Sequence, residues 1–92
     1  MNMELEKREA ARQAGERYGT MAADLSLVHI SMAESEEAVQ DHINNLVRNI
    51  REQAVQQARE DLAVVWKEAA LKAAQARLEA SGGPEEANPS SD

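Results

Sequence analysis

Residues 20–81 read TMAADLSLVHISMAESEEAVQDHINNLVRNIREQAVQQAREDLAVVWKEAALKAAQARLEAS, a stretch that contains neither glycine nor proline. Alanine recurs through this stretch, and apolar residues repeat every three or four positions, which is the spacing of one face of an α-helix. Glycine and proline are the residues that most often interrupt helices, so their absence predicts long helices. The sequence therefore predicts an all-α protein.

The supply of large apolar side chains is small for a chain of this length. Leucine, isoleucine and valine together number 16 among 92 residues, and phenylalanine is absent. Such a chain buries little apolar surface by itself, although the high helix propensity of alanine lowers the cost of forming helices. We therefore expect a two-helix hairpin or an extended pair of long helices, completed by dimerisation into a helical bundle or coiled-coil-like assembly. Parallel and antiparallel pairing both remain open.

A single helical domain is expected over residues 1–81, with a first helix over about 3–30. This helix contains a heptad-like seam. Gly15 and Gly19 lie within it and mark a kink, a break or a place where another backbone comes close. The seam consists of Ala11, Ala14, Tyr18, Met21, Leu25, Val28 and Met32.

Residues 82–92 are acidic and polar, and they are expected to form a disordered tail.

Two helix-start signals predict a helix boundary within residues 30–36. Ser31 and Glu34 have the spacing of a capping box, and Ser35 precedes two glutamates that suit the first turn of a helix. The second helix is expected over about 35–80, where a glycine pair and a proline follow its end. Because no glycine assists the turn, a continuous helix through the boundary is the alternative.

Residues 25–31, LSLVHIS, are the one segment whose β-branched residues and partial alternation also permit a strand. The chain offers no second strand candidate. Only pairing between two copies, as in a ribbon–helix–helix fold, would use this strand.

The candidate binding residues are the larger members of the seam and the apolar segment around the only tryptophan. Residues 62–66, LAVVW, are apolar around more of the helix than an ordinary stripe, and tryptophan is enriched among interface anchors. The same segment is also suited to the centre of an intramolecular core. The expected interface residues are Tyr18, Met21, Leu25, Val28, Met32, Leu62, Val65 and Trp66.

The charge of the chain is unevenly distributed. The formal net charge is −7, and no base lies between Arg17 and Arg48. This interval contains an acidic patch, which attracts basic protein surfaces and repels nucleic acid. An acidic inhibitor whose residues 24–41 occupy a basic, nucleic-acid-binding cleft of a target protein is therefore an alternative function. The acidic patch consists of Asp24, Glu34, Glu36, Glu37 and Asp41.

The sequence predicts no catalytic residues, no metal ligands and no cofactor site. His29 and His42 are the only histidines, and their spacing with neighbouring acids does not supply the three or four ligands of a metal site. The arginines of the second helix are interspersed with acids, so direct nucleic-acid binding is not expected. The chain has no apolar run of membrane-spanning length, and the lack of cysteine suits the cytoplasm.

Taken together, these patterns predict a non-enzymatic small helical protein that acts by protein–protein binding, as an adaptor, regulator, inhibitor or assembly chaperone. The expected partners are another protein and a second copy of the chain. The acidic inhibitor is the first alternative, and a ribbon–helix–helix-type DNA binder is the second. Salt dependence separates the first two, because acidic mimicry weakens with ionic strength more steeply than apolar docking.

Overall fold

A computed structural model of the chain describes residues 3–81, which form three α-helices. Helix α1 spans Met3–Ser31, α2 spans Glu36–Gln57 and α3 spans Glu60–Ala80. The all-α prediction is confirmed for this part of the chain. The tail predicted at residues 82–92 lies outside the described residues.

The single long helix predicted over residues 35–80 is interrupted, so the described chain is a three-helix arrangement and not a hairpin. Ala58 and Arg59 have extended backbones, with φ and ψ of −150° and 163° at Ala58 and −78° and 169° at Arg59. Arg59 is the N-cap of α3, and its side chain makes no capping hydrogen bond. Glu60 and Asp61 place negative charge in the first turn, where the helix dipole favours it.

Helices α1 and α3 are parallel neighbours that pack through small residues. Gly15 faces the backbone of Trp66, and Gly19, one turn later, faces the backbone of Ala70. A Cβ added to Gly19 would lie 2.8 Å from the Cα of Ala70, a distance that real Cβ atoms do not adopt. The two glycines therefore mark the close approach of a second backbone. We call this contact of Gly15 and Gly19 with α3 the small-residue seam. The buried residues of α1 are Ala11, Gly15, Gly19, Ala22 and Ala23.

Helix α2 runs antiparallel to α1. The Tyr18 hydroxyl is hydrogen-bonded to the side-chain oxygen of Asn49, and His29, further along α1, stacks on His42, nearer the start of α2. Because α1 and α3 are parallel, α2 is also antiparallel to α3. Its buried residues are Leu46, Ile50 and Ala54.

The hydrophobic core is narrow and depends on a few large side chains. Ile50 is fully buried, and Trp66 is 3% exposed. The other buried apolar residues are alanines apart from Leu46. The Cα atoms extend over 50 × 28 × 14 Å along the principal axes, so the molecule is longer than it is wide and thin in one direction. A shape of this kind leaves a large part of each helix surface in contact with solvent.

The helix boundary predicted within residues 30–36 is confirmed. Ser35 is the N-cap of α2, and its Oγ accepts a hydrogen bond of 3.0 Å from the Ala38 N–H. Ser31 does not cap α2, because its Oγ donates a hydrogen bond of 2.8 Å to the Val28 carbonyl at the end of α1. The second of the two start signals is therefore the one that begins the helix.

Residues 25–31 are helical and form the last part of α1. The strand that the ribbon–helix–helix alternative requires is absent from the described part of the chain.

Candidate interaction surface

Helix α1 carries an exposed row of large apolar side chains on a different face from the small-residue seam. We call it the apolar row, and it consists of Met21, Leu25 and Val28, with Met32 directly after the helix. Their exposed fractions are 52%, 62%, 56% and 72% in chain order. Because side chains three and four positions apart are neighbours on a helix, Met21, Leu25 and Val28 form one continuous strip, and Met32 follows it at the end of α1.

The apolar row borders an open groove between α1 and α2 with a volume of about 590 Å³. Met21 and Leu25 line the α1 side of the groove. The α2 side is largely polar, since Asn45, Arg48 and Asn49 line it. One apolar wall and one polar wall complement the two faces of an amphipathic helix.

Tyr18 connects the groove to the core. Its ring centroid lies 5.1 Å from that of Trp66, with the ring planes tilted by 41°. Its hydroxyl is hydrogen-bonded to Asn49. Tyr18 therefore joins all three helices, and the shape of the groove depends on the packing of the core beneath it.

His29 and His42 line the same groove from α1 and α2. Their ring centroids are 5.6 Å apart, and the ring planes differ by 23°. Two imidazoles alone do not complete a metal site. Within residues 3–81, no group of three or more histidine, cysteine or acidic side chains is placed to hold a metal ion.

Opposite charges flank the two ends of the apolar row. Arg17 lies one helical turn before Met21, and it has no ion-pair partner within residues 3–81. Four exposed acids follow Met32, and they too lack ion pairs in the described chain. These acids are Glu34, Glu36, Glu37 and Asp41.

Asp24, the remaining member of the predicted acidic patch, has a different environment. Its Oδ1 lies 2.5 Å from the Nε of Arg77 in α3. This ion pair offsets the charge of Asp24, so the unpaired members of the predicted acidic patch lie within residues 34–41.

The predicted interface residues divide into two groups in the structure. The members of the apolar row are exposed, and Tyr18 is partly buried. Trp66 is buried within the chain, and Leu62 and Val65 are partly buried against the same core. The α3 segment thus contributes to intramolecular packing, which is one of the two roles that its sequence suited.

Sequence reasoning did not identify the polar wall of the groove. Asn49 meets Tyr18 across 31 positions of the chain. No local spacing links two residues so far apart, so only the fold brings them together.

None of the helices within residues 3–81 has a stretch apolar enough to traverse a bilayer.

In comparisons with known proteins, the chain matches no protein-family model, no curated protein and no solved structure.

Proposed function

We propose that this chain is a non-enzymatic helical protein that acts by binding other proteins through the apolar row and the adjoining groove. The observation that carries the proposal is the exposure of four large apolar side chains, three on α1 and one directly after it. Exposed apolar patches bordered by polar residues are typical of protein interaction sites. The roles of adaptor, regulator, inhibitor and assembly chaperone all agree with such a surface.

The size of the surface indicates which partner would bind. Each member of the row is more than half exposed, so covering one of these side chains contributes on the order of 1 kcal/mol to the free energy of binding. Association itself costs at least about 4 kcal/mol. The row alone therefore supports weak binding, and further contacts with the groove are needed. An amphipathic helix makes both kinds of contact.

The proposal includes a cytoplasmic location, with no cofactor and no catalytic step. The support for this location is the cysteine-free sequence, which suits a reducing compartment.

The test is capture of binding proteins from the source cell by the tagged full chain and by the double variant Leu25→Glu/Val28→Glu. We expect the amount of captured protein to be at least about tenfold lower with the variant than with the wild type, because two charges interrupt the row. Val55→Glu is the matched control, since Val55 is exposed on α2 outside the groove. Circular dichroism must show equal helicity in all three chains. Equal capture by the wild type and the double variant would contradict the proposal.

A second candidate function rests on the unpaired acids at residues 34–41. These acids form an exposed negative surface, which suits an inhibitor that occupies a basic, nucleic-acid-binding cleft on a target protein. Capture by this surface should fall steeply between low and high salt, whereas apolar docking should change little. Glu36→Gln/Glu37→Gln should then reduce capture, and Leu25→Glu/Val28→Glu should not.

A further inference from the structure

We infer that the apolar row is covered by a second copy of this chain, with the two α1 helices antiparallel about a two-fold axis. This inference rests on the proposed function, because it names a partner for the same surface.

The spacing of the row is self-complementary. Its steps of four, three and four residues, the last of which reaches one residue past the end of α1, are those of a coiled-coil seam. In antiparallel register, Leu25 packs against Val28 of the second copy, and Met21 packs against Met32 of the second copy. Each member of the row thus meets another member, as the identical patches of a two-fold interface require.

The flanking charges favour the antiparallel orientation. Arg17 precedes the row, and the unpaired acids at residues 34–41 follow it. Antiparallel pairing brings Arg17 of each copy toward the acids of the other copy. Parallel pairing would instead bring the two acidic segments together, and like charges at close range oppose association.

The exposed area agrees with a weak dimer. Four large side chains that are more than half exposed present on the order of 400 Å² per copy, or about 800 Å² for two copies. Contacts by Arg17, Tyr18 and the polar groove wall would raise the total toward roughly 1,200 Å², the lower end for specific interfaces. We therefore expect a dissociation constant in the micromolar range.

Dimerisation of this kind has a consequence for the acids at residues 34–41. The second copy would cover part of this negative surface with its Arg17. A basic partner would then compete with the dimer, so an acidic inhibitor would act as the monomer.

The orientation can be tested by disulfide cross-linking, because the chain has no cysteine. Met21→Cys and Met32→Cys are made separately in the full chain with different tags, mixed and mildly oxidised. We expect disulfides between positions 21 and 32 of different copies. Antiparallel pairing separates the two 21 positions by about 16 Å along the helix axis, so 21–21 disulfides should be rare. A predominance of 21–21 and 32–32 disulfides would overturn the antiparallel assignment, and Val55→Cys measures random cross-linking.

The association itself can be measured by light scattering and sedimentation of the wild-type chain. We expect a dimeric mass at about 100 µM that dissociates on dilution, as a micromolar dissociation constant requires. Leu25→Glu/Val28→Glu should weaken the dimer at least about 100-fold, and Arg17→Glu about fivefold to tenfold. Arg51→Glu, an exposed base on α2 outside the groove, should leave it unchanged.

The outcomes separate this inference from the proposed function. A monomeric mass at every concentration would overturn the dimer. If that monomer still captured other proteins through the row, the proposed function would stand. Capture that is insensitive to Leu25→Glu/Val28→Glu would overturn the proposed function, while the measured mass would still decide the dimer.

Discussion

Gly19 of α1 lies directly against the backbone of Ala70 in α3, and the carbonyl of Ala70 occupies the space that a Cβ on Gly19 would need. Gly15 meets Trp66 in the same way one turn earlier. The closest pair of helices therefore depends on two positions that have no side chain.

Gly19→Ala should destabilise the fold. Alanine improves helix propensity by about 1 kcal/mol, but the added methyl group would meet a backbone carbonyl that cannot move aside easily. We expect a net loss of about 1–3 kcal/mol in the free energy of unfolding, as for other overpacked sites. Urea denaturation followed by circular dichroism measures this loss. Thr20→Ala, at the exposed neighbouring position, should cause none, and a higher melting temperature for Gly19→Ala would contradict the close approach.

Trp66→Ala should cost about 3–5 kcal/mol, because it removes the largest buried side chain and leaves a cavity beneath Tyr18. Leu62→Ala should cost less, since Leu62 is only partly buried. Chemical denaturation of both variants gives the comparison. Trp66→Phe, which preserves an aromatic ring, should retain more stability than Trp66→Ala. Fluorescence of the wild type at the wavelength of water-exposed tryptophan would contradict the buried position.

Tyr18→Phe should cost about 0.5–1.5 kcal/mol, because it removes the hydroxyl that bonds Asn49 and keeps the ring on Trp66. Asn49→Ala should cost a similar amount. A double-mutant cycle measures the coupling, and the two losses should be less than additive because both remove the same hydrogen bond. Strictly additive losses would show that the two side chains act independently in solution.

The Glu9 carboxylate should titrate below its ordinary range. Hydrogen bonds from the side chains of Arg12 and Gln13 favour its charged form and lower the pKa of Glu9. A lowered pKa in the folded state means that this stabilisation is present above the unfolded pKa and is lost as the pH falls through the folded pKa. Carbon-13 NMR titration of the Glu9 carboxyl checks the direction. Arg12→Ala should return the midpoint toward the ordinary value, whereas Lys7→Ala should not.

Local chemistry explains which features of the fold could be predicted from the sequence. Ser35 is followed by two acids, and the capping hydrogen bond and the helix dipole that make this a start signal act within a few residues of the chain. The break at Ala58 and Arg59 has no comparable signal, because both residues are good helix formers and Arg59 makes no capping bond. Glu60 and Asp61 are the only local indication of the new helix.

The packing of α1 shows a second limit of sequence reasoning. The heptad-like spacing of Met21, Leu25 and Val28 indicates a packing seam, yet within the chain this face stays exposed. Small residues at four-residue steps, such as Gly15 and Gly19, form the intramolecular contact instead. Apolar periodicity emphasises large side chains, so it does not reveal a contact that depends on their absence.

The parallel packing of α1 and α3 also determines when the core can form. Gly15 and Trp66 are about fifty positions apart in the sequence, so their contact requires closure of a long loop that includes all of α2. The helices can begin to form locally, but the small-residue seam must wait for both chain reversals. A chain still being synthesised, with α1 and α2 complete and α3 absent, would leave Gly15 and Gly19 exposed to water with no backbone to cover them.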